Sequence, residues 1–310
     1  MQHDDKIYVA GHTGMVGVAL VNKLQALGFT KIVTRSRAQL DLLDQAAVAA
    51  FFEQEKPAYV FMAAGKTGGI YANITYRADF IYENIVMQSN VIHQSFLHEV
   101  TKLMFYACSS IYPKQCPQPM HEDYVLSGLL EPTNEPFAVA KIAGLKMCEA
   151  YNRQYGTDFI TLIPTNIYGP GQRYDPVNSP VIPALIQKFH EAKLAGQSVV
   201  TLWGTGRPMR DFMHVEDLAE ASIHLMQNYE GNVLINVGTG KGCMISQLAE
   251  MVKRAVGFAG EIAYDDSRPD GVATKLLDVS RINDLGWRHK IDIEAGICRM
   301  YKEGAYDPRR

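Results

Sequence analysis

The sequence predicts a doubly wound, largely parallel α/β sheet followed by a smaller second lobe. Three observations carry that expectation. Short apolar runs alternate with helical patterns over the first 165 residues, and the runs are apolar throughout rather than at every second position. A glycine-rich turn joins the first run to the first helix. Strict alternation of this kind covers a parallel sheet with helices on both faces.

Taken in order, Lys6–Ala10 reads as the first strand. Val16, Leu20, Leu24 and Leu27 then recur at the spacing of one helix face, which Gly28 closes. Lys31–Thr34 reads as a second strand, and Asp44 is placed to cap a helix whose interior is Ala46–Phe52. Tyr59–Ala63, Leu103–Ala107 and Phe159–Ile163 complete five strands, with long helical stretches at 76–98 and 136–155 between them. Beyond Pro164 the texture changes: Tyr168–Gly171 and Asp175–Pro180 are turn-rich, and later elements are shorter. The expected division is therefore 1–169 for a nucleotide-binding domain and 170–310 for a substrate lobe, with a strand at 232–237 returning to the sheet.

A chain of 310 residues, 47% hydrophobic and 20% charged, can bury a full core without disulfides or a structural metal. Its net charge of −3 points to neither a nucleic-acid partner nor an anionic membrane surface. Cys108, Cys116, Cys148, Cys243 and Cys298 are odd in number, scattered and free of any CxxC spacing, so no disulfide framework or zinc site is expected. A polar, acidic amino terminus and the lack of a long apolar run lead to the expectation of a cytoplasmic protein.

The turn after the first strand is Gly11-His-Thr-Gly14-Met-Val-Gly17. Glycines permit a tight turn and close approach of a pyrophosphate, and the helix that follows offers its amino terminus to that charge. The GxxGxxG spacing points to a Rossmann-type sheet of the short-chain dehydrogenase/reductase kind. Sites for NAD usually carry an acid at the end of the second strand, whereas this strand ends Thr34-Arg35-Ser36-Arg37. Arginine suits the 2′-phosphate of NADP, which makes NADP(H) the expected cofactor; two solvated surface arginines are the other reading.

Four further stretches carry a specific resemblance: Cys108–Lys114, Glu131–Gly144, Pro164–Pro170 and Trp203–Phe212. With the glycine turn, Lys275–Asp278 and Leu285–Trp287, they closely resemble the GDP-L-fucose synthase family of extended short-chain dehydrogenase/reductases. The resemblance implies a homodimeric enzyme that epimerises a GDP-linked 4-keto sugar at C3 and C5 and reduces C4 with NADPH. It implies a cofactor site of Gly11, Thr13, Gly14, Met15, Val16, Gly17, Arg35, Ala63, Ala64, Lys141 and Pro164. The implied substrate contacts are Asn166, Val181, Lys188, Trp203, Arg210 and Lys275, and the catalytic positions are Cys108, Ser109, Ser110, Phe137 and Lys141. Trp203 could cover a base or fill a core; Arg210 could neutralise a pyrophosphate or pair near Asp211.

The departures bear on chemistry. The family's Tyr-x-x-x-Lys pair is here Phe137 and Lys141, and phenylalanine has no proton to give. The family's orienting serine falls on Cys108, its epimerising cysteine on Ser110, and the partner histidine on Pro180. Three readings stay open: a reductase-only relative acting on a ready-made 4-keto sugar, a Tyr→Phe replacement that traps ligand, or a chain that binds without turnover. His93, His98, His190, His214 and His224 show no metal-ligand spacing, and no metal is expected. The two long helices are the candidate dimer faces, with Phe80, Val91 and Leu97 facing either a partner or the chain's own sheet.

Overall fold

All four residues of the first strand are buried, and the sheet grows from it. The computed structural model describes residues 1–172, 179–231, 233–268 and 270–304. The first half runs β1 (Ile7–Ala10), α1 (Met15–Ala26), β2 (Ile32–Val33), α2 (Gln45–Glu55), β3 (Tyr59–Met62), α3 (Ile70–Thr75), α4 (Arg77–Leu97), β4 (Lys102–Tyr106), α5 (Glu135–Tyr155) and β5 (Phe159–Pro164). It continues through β6 (Asn166–Tyr168), α6 (Val181–Leu194), β7 (Val199–Trp203), β8 (Met209–Arg210), β9 (Phe212–His214), α7 (Val215–Asn228) and β10 (Ile235–Val237). The last elements are β11 (Cys243–Met244), α8 (Ile245–Val256), β12 (Glu261–Asp265), β13 (Thr274–Lys275), α9 (Ser280–Asp284) and α10 (Ile293–Lys302).

Six strands form one parallel sheet in the order β10-β5-β4-β3-β1-β2. Strand order reverses at β1, whose neighbours are β2 on one side and β3 on the other; that is where open α/β sheets form their ligand crevice. The expected fold class is thus present, and β10 is the strand expected to return to the sheet. Helix α1 packs on α7, while α2 packs on α4 and α4 on α5, giving the two helical layers that an all-apolar sheet requires. Asp44 caps α2 as expected, accepting from the Ala47 amide at 3.0 Å. At the other end of α2, Lys56 is left-handed (φ 44°) and its amide returns to Phe52.

Two apolar cores are present. The larger surrounds the sheet and also takes in Leu218, Ile223, Leu225 and Trp287, so segments late in the chain pack on the first half. The smaller joins α6, β7, α8 and α10 around Ile186, Phe189, Leu248 and Ile297.

Several expectations need correction. Leu20 and Leu24 are fully buried, but Leu27 is 42% exposed, because the helix stops at Ala26 and Gly28 turns left-handed (φ 84°) to send the chain back. The second strand shrinks to two half-buried residues at the sheet edge. Phe80 and Val91 are buried in the chain's own interior, so neither is free for a partner; Leu97, at the end of α4, is exposed. The turn-rich segment 175–180 lies, up to Asn178, outside the described residues, as does Asn232.

Candidate active site

The glycine turn owes its shape to two of its three glycines. Gly11 has φ 83°, and a Cβ there would stand 2.7 Å from the backbone of Ala64 at the end of β3. A Cβ on Gly17 would drive into the Gly11 carbonyl. Gly14 differs: a Cβ there meets nothing nearer than 3.4 Å. It caps α1 with no side-chain hydrogen bond, which leaves the first amides of the helix available to an anion. Thr13 and Gly14 are exposed, whereas Met15 and Val16 already belong to α1, and Met15 turns into a separate groove beside Val215.

A cavity of about 360 Å³ opens at this turn, lined by Gly11, Thr13, Gly14, Arg35, Ala63 and Ala64, with Tyr8, Leu42 and Met87 beneath and beside them. Arg35 is not a solvated surface arginine. It donates to the Thr34 carbonyl at 2.8 Å and to Glu55 Oε1 at 2.6 Å, and its guanidinium lies 5.5 Å from the Phe51 ring centre. Arg37 is the solvated one, 72% exposed with Asp41 at 3.6 Å. Lys66, Glu83 and Asn84 join the site without any motif to announce them. Lys66 donates to Glu83 at 2.5 Å, and the Asn84 amide clasps both the amide and the carbonyl of Lys66. A capping asparagine inside a helix carries no signal that it fastens a distant strand end.

Lys141 projects from α5 into the interior, where its Nζ donates to the Tyr106 carbonyl at 3.0 Å. Burial pulls its ammonium down to about 8, against the opposing influence of Cys108. Phe137 stands one turn earlier, its ring centre 6.0 Å from the Lys141 nitrogen and 6.1 Å from the ring of Phe80, edge to face. Cys108 ends the stretch after β4 and precedes a single turn, Ser109–Ile111, of 3₁₀ helix. Ser110 Oγ accepts from Asn134 Nδ2 at 3.2 Å, and Ser109 is half-buried beside it. Pro164 ends β5 opposite Val237, where the chain turns toward the second core.

On the far side of Cys108, β13 pairs with β8 so that Lys275 lies opposite Arg210. Burial lowers the pKa of the Arg210 guanidinium. It also lowers that of Lys275; Cys108 opposes that shift and Arg210 adds to it. Among the described residues neither cation has a carboxylate within salt-bridge distance, and Arg210 bonds only its neighbour's carbonyl, Met209, at 2.8 Å. Asp211 is no partner for it: that carboxylate is fully buried and taken by Thr239 and the Gly240 amide. Two half-buried cations thus stand side by side, with the Glu131 carboxylate acting on Lys275 from beyond salt-bridge distance.

The other expected contacts are dispersed. Asn166 donates to the Asp211 carbonyl at 2.9 Å and ties β6 to β9. Trp203 fills no core; it is 73% exposed with the Arg268 guanidinium 5.2 Å over its ring. Its loop is latched by Thr205, which bonds Asp270 through amide and hydroxyl at 2.9 and 2.6 Å. Lys188 is exposed and donates to the Thr201 carbonyl at 2.5 Å, and Val181 opens α6 directly after Pro180. The histidines are held by the protein: His93 by Tyr151, His190 by Tyr301, His224 by the Leu285 carbonyl, His98 by Gln94, and His214 by Arg299.

Residues 7–238 match the NAD dependent epimerase/dehydratase family. The chain belongs to this family. Within it, GDP-L-fucose synthase 1 of Arabidopsis thaliana is 51% identical over 96% of this chain and 92% of its own length. A GDP-mannoheptose C4 reductase from Campylobacter jejuni with NADP bound is 45% identical, with a TM-score of 0.90 over 97% of this chain and 98% of that one. A GDP-6-OMe-4-keto-L-xylo-heptose reductase from C. jejuni is 43% identical, with a TM-score of 0.92 over 98% of both.

Two predictions follow from this geometry. Gly17→Ala should cost about 2 kcal/mol or more of stability, since rigid backbone must move. Gly14→Ala should cost only about 1 kcal/mol and yet abolish dinucleotide binding. Urea unfolding and cofactor titration of both variants check the split.

The second concerns Lys141, whose ordinary pKa of 10.5 falls to about 8 on folding. Below pH 8 both states carry the charge and the full burial cost is present; between about 8 and 10.5 the folded protein sheds its proton first and the cost fades. Lys141→Met should therefore stabilise the protein at pH 7, by roughly 3 kcal/mol at the upper limit, and by much less at pH 10. Unfolding at the two pH values measures the difference; a gain that stays constant or grows with pH would contradict it.

Proposed function

We propose that this chain is an NADP(H)-dependent GDP-sugar oxidoreductase that acts on a GDP-linked 4-keto sugar at C4. The observation that carries the substrate reading is the pair Arg210 and Lys275, two adjacent cations with no carboxylate in salt-bridge distance among the described residues, suited to a diphosphate. The cofactor fits what surrounds its cavity: open amides at the start of α1, a Gly14 that leaves room for phosphate, and an arginine at the end of β2. Gly11, Thr13, Gly14, Arg35, Ala63 and Ala64 would hold it, with Lys141 and Pro164 at its nicotinamide end. When bound, NADPH supplies the hydride.

The chain's own residues then determine what happens to the proton. Lys141, held near neutral pKa by burial, is placed to tune a donor one turn away, but Phe137 offers no hydroxyl there. Ser110, bonded to Asn134, and Pro180 supply no strong acid/base pair for epimerisation. Turnover by the chain as written is accordingly weak, and C3/C5 epimerisation is absent. The same substitutions favour a second reading, a protein that binds GDP-sugar and NADP(H) without turnover.

A homodimer is the proposed assembly. Beside the buried faces of α4 and α5, Tyr82 and Val139 remain exposed, and a shallow depression between Ile81, Pro136 and Val139 joins the two helices. Light scattering should give twice the mass of one 34.5 kDa chain; the mass of a single chain would refute the dimer.

The deciding experiment restores the phenol. Phe137→Tyr adds one oxygen to a half-buried ring, so NADPH and GDP binding should change little. Reduction of a GDP-4-keto sugar, followed at 340 nm, should rise by ~10²–10⁴-fold. No deuterium from heavy water should enter C3 or C5. If the variant reduces no faster than the parent, the binding-protein reading replaces this one.

A further inference from the structure

Arg35 reaches the cavity from the end of β2, but the group that fixes its guanidinium comes from another element. Glu55, the last residue of α2, accepts from Arg35 through Oε1 at 2.6 Å and from Lys6 through Oε2 at 3.3 Å. Its side chain is only 16% exposed. The Thr34 carbonyl takes a second Arg35 donor at 2.8 Å, and Phe51, one turn earlier on α2, lies under the guanidinium. Helix α2 is itself fastened at both ends, by the Asp44 cap and by the left-handed turn at Lys56, so Glu55 is a fixed point. Arg37 provides the contrast: an exposed side chain with only a 3.6 Å contact to Asp41.

We propose that Glu55 is a positioning residue for cofactor selectivity: it orients Arg35 so that the guanidinium's remaining donors meet the 2′-phosphate. This rests on the NADP(H) reading above. A guanidinium has five donors, and the bonds to Glu55 and Thr34 occupy two. The ring of Phe51 fixes the plane of the fork, which matters because bidentate pairing with phosphate depends on orientation. A carboxylate near a phosphate site would normally repel the ligand. Here Lys6 binds its second oxygen, so Lys6, Glu55 and Arg35 together keep one positive charge in excess. Sequence spacing conceals this arrangement, since Glu55 is 20 residues from Arg35 and 49 from Lys6.

Two nucleotides that differ in a single phosphate, 2′,5′-ADP and 5′-AMP, isolate the effect by calorimetric titration of the full chain. The parent should prefer 2′,5′-ADP. Glu55→Ala should reduce that preference about tenfold, the scale of one charge-assisted contact, while 5′-AMP affinity stays unchanged. Glu55→Gln, which keeps an acceptor without its charge, should recover part of the loss. Equal weakening of both nucleotides, or a lower melting temperature with an unchanged preference, would make Glu55 a structural ion-pair residue and overturn the proposal. Tighter 2′,5′-ADP binding in Glu55→Ala would show that the carboxylate competes with phosphate, which also overturns it. A parent that shows no preference at all would fail the cofactor reading itself and take the proposal with it, whereas a preference kept intact in Glu55→Ala fails only the positioning role.

Discussion

Because β2 and β3 lie on opposite sides of β1, the chain leaves the sheet edge in two directions, and the backbones of Gly11 and Ala64 close on one another beside the gap. That approach leaves no room for a Cβ at Gly11, and the Gly11–His12 backbone leaves none at Gly17. With these contacts made, α1 starts at a fixed point with no side-chain cap, and Gly14 and Arg35 line the same cavity. The phosphate-binding geometry is therefore a consequence of how the sheet is wound.

Electrostatics sets the second constraint. Lys141 is buried, while Arg210 and Lys275 stand half-buried with no carboxylate in salt-bridge distance among the described residues. Two interior charges elsewhere are paired, Lys102 with Asp158 at 2.9 Å and Glu122 with Arg281 at 3.6 Å, while the buried Asp211 and Asp217 carboxylates are held by amide and hydroxyl donors. Unmatched positive charge at one place costs stability in the empty protein, and an anionic ligand offsets that cost when it binds. The Lys141 pKa is lowered by burial itself, with no neighbouring cation adding to the shift.

The sheet was legible because its strands are continuous apolar runs, and each expected strand appears within a residue or two of its place. The strand expected at 232–237 joins the sheet as the shorter β10, Ile235–Val237, with Asn236 interrupting its apolar run. Side-chain partnerships were not. Nothing near Arg35 in sequence announces Glu55, and nothing near Lys66 announces Asn84, because both contacts join different elements. Leu27 matched the helical period and is exposed all the same, since period describes a face and not where the helix ends. Trp203 could be placed in a core or on a ligand from its chemistry alone; only its exposure beside Arg268 removes the core.

Binding and chemistry draw on different parts of this fold. The groups proposed to bind anions come from strand ends and the paired edges of β8 and β13, whose positions are fixed by backbone hydrogen bonds. The positions that would move protons lie on α5 and the short turn after Cys108, where side-chain identity alone decides what can be transferred. Phe137 shows how far the two can be separated. Its ring packs edge to face on Phe80 and sits beside Lys141, contacts that depend on ring shape and not on a hydroxyl. A phenylalanine satisfies that packing and leaves no hydroxyl there to exchange a proton.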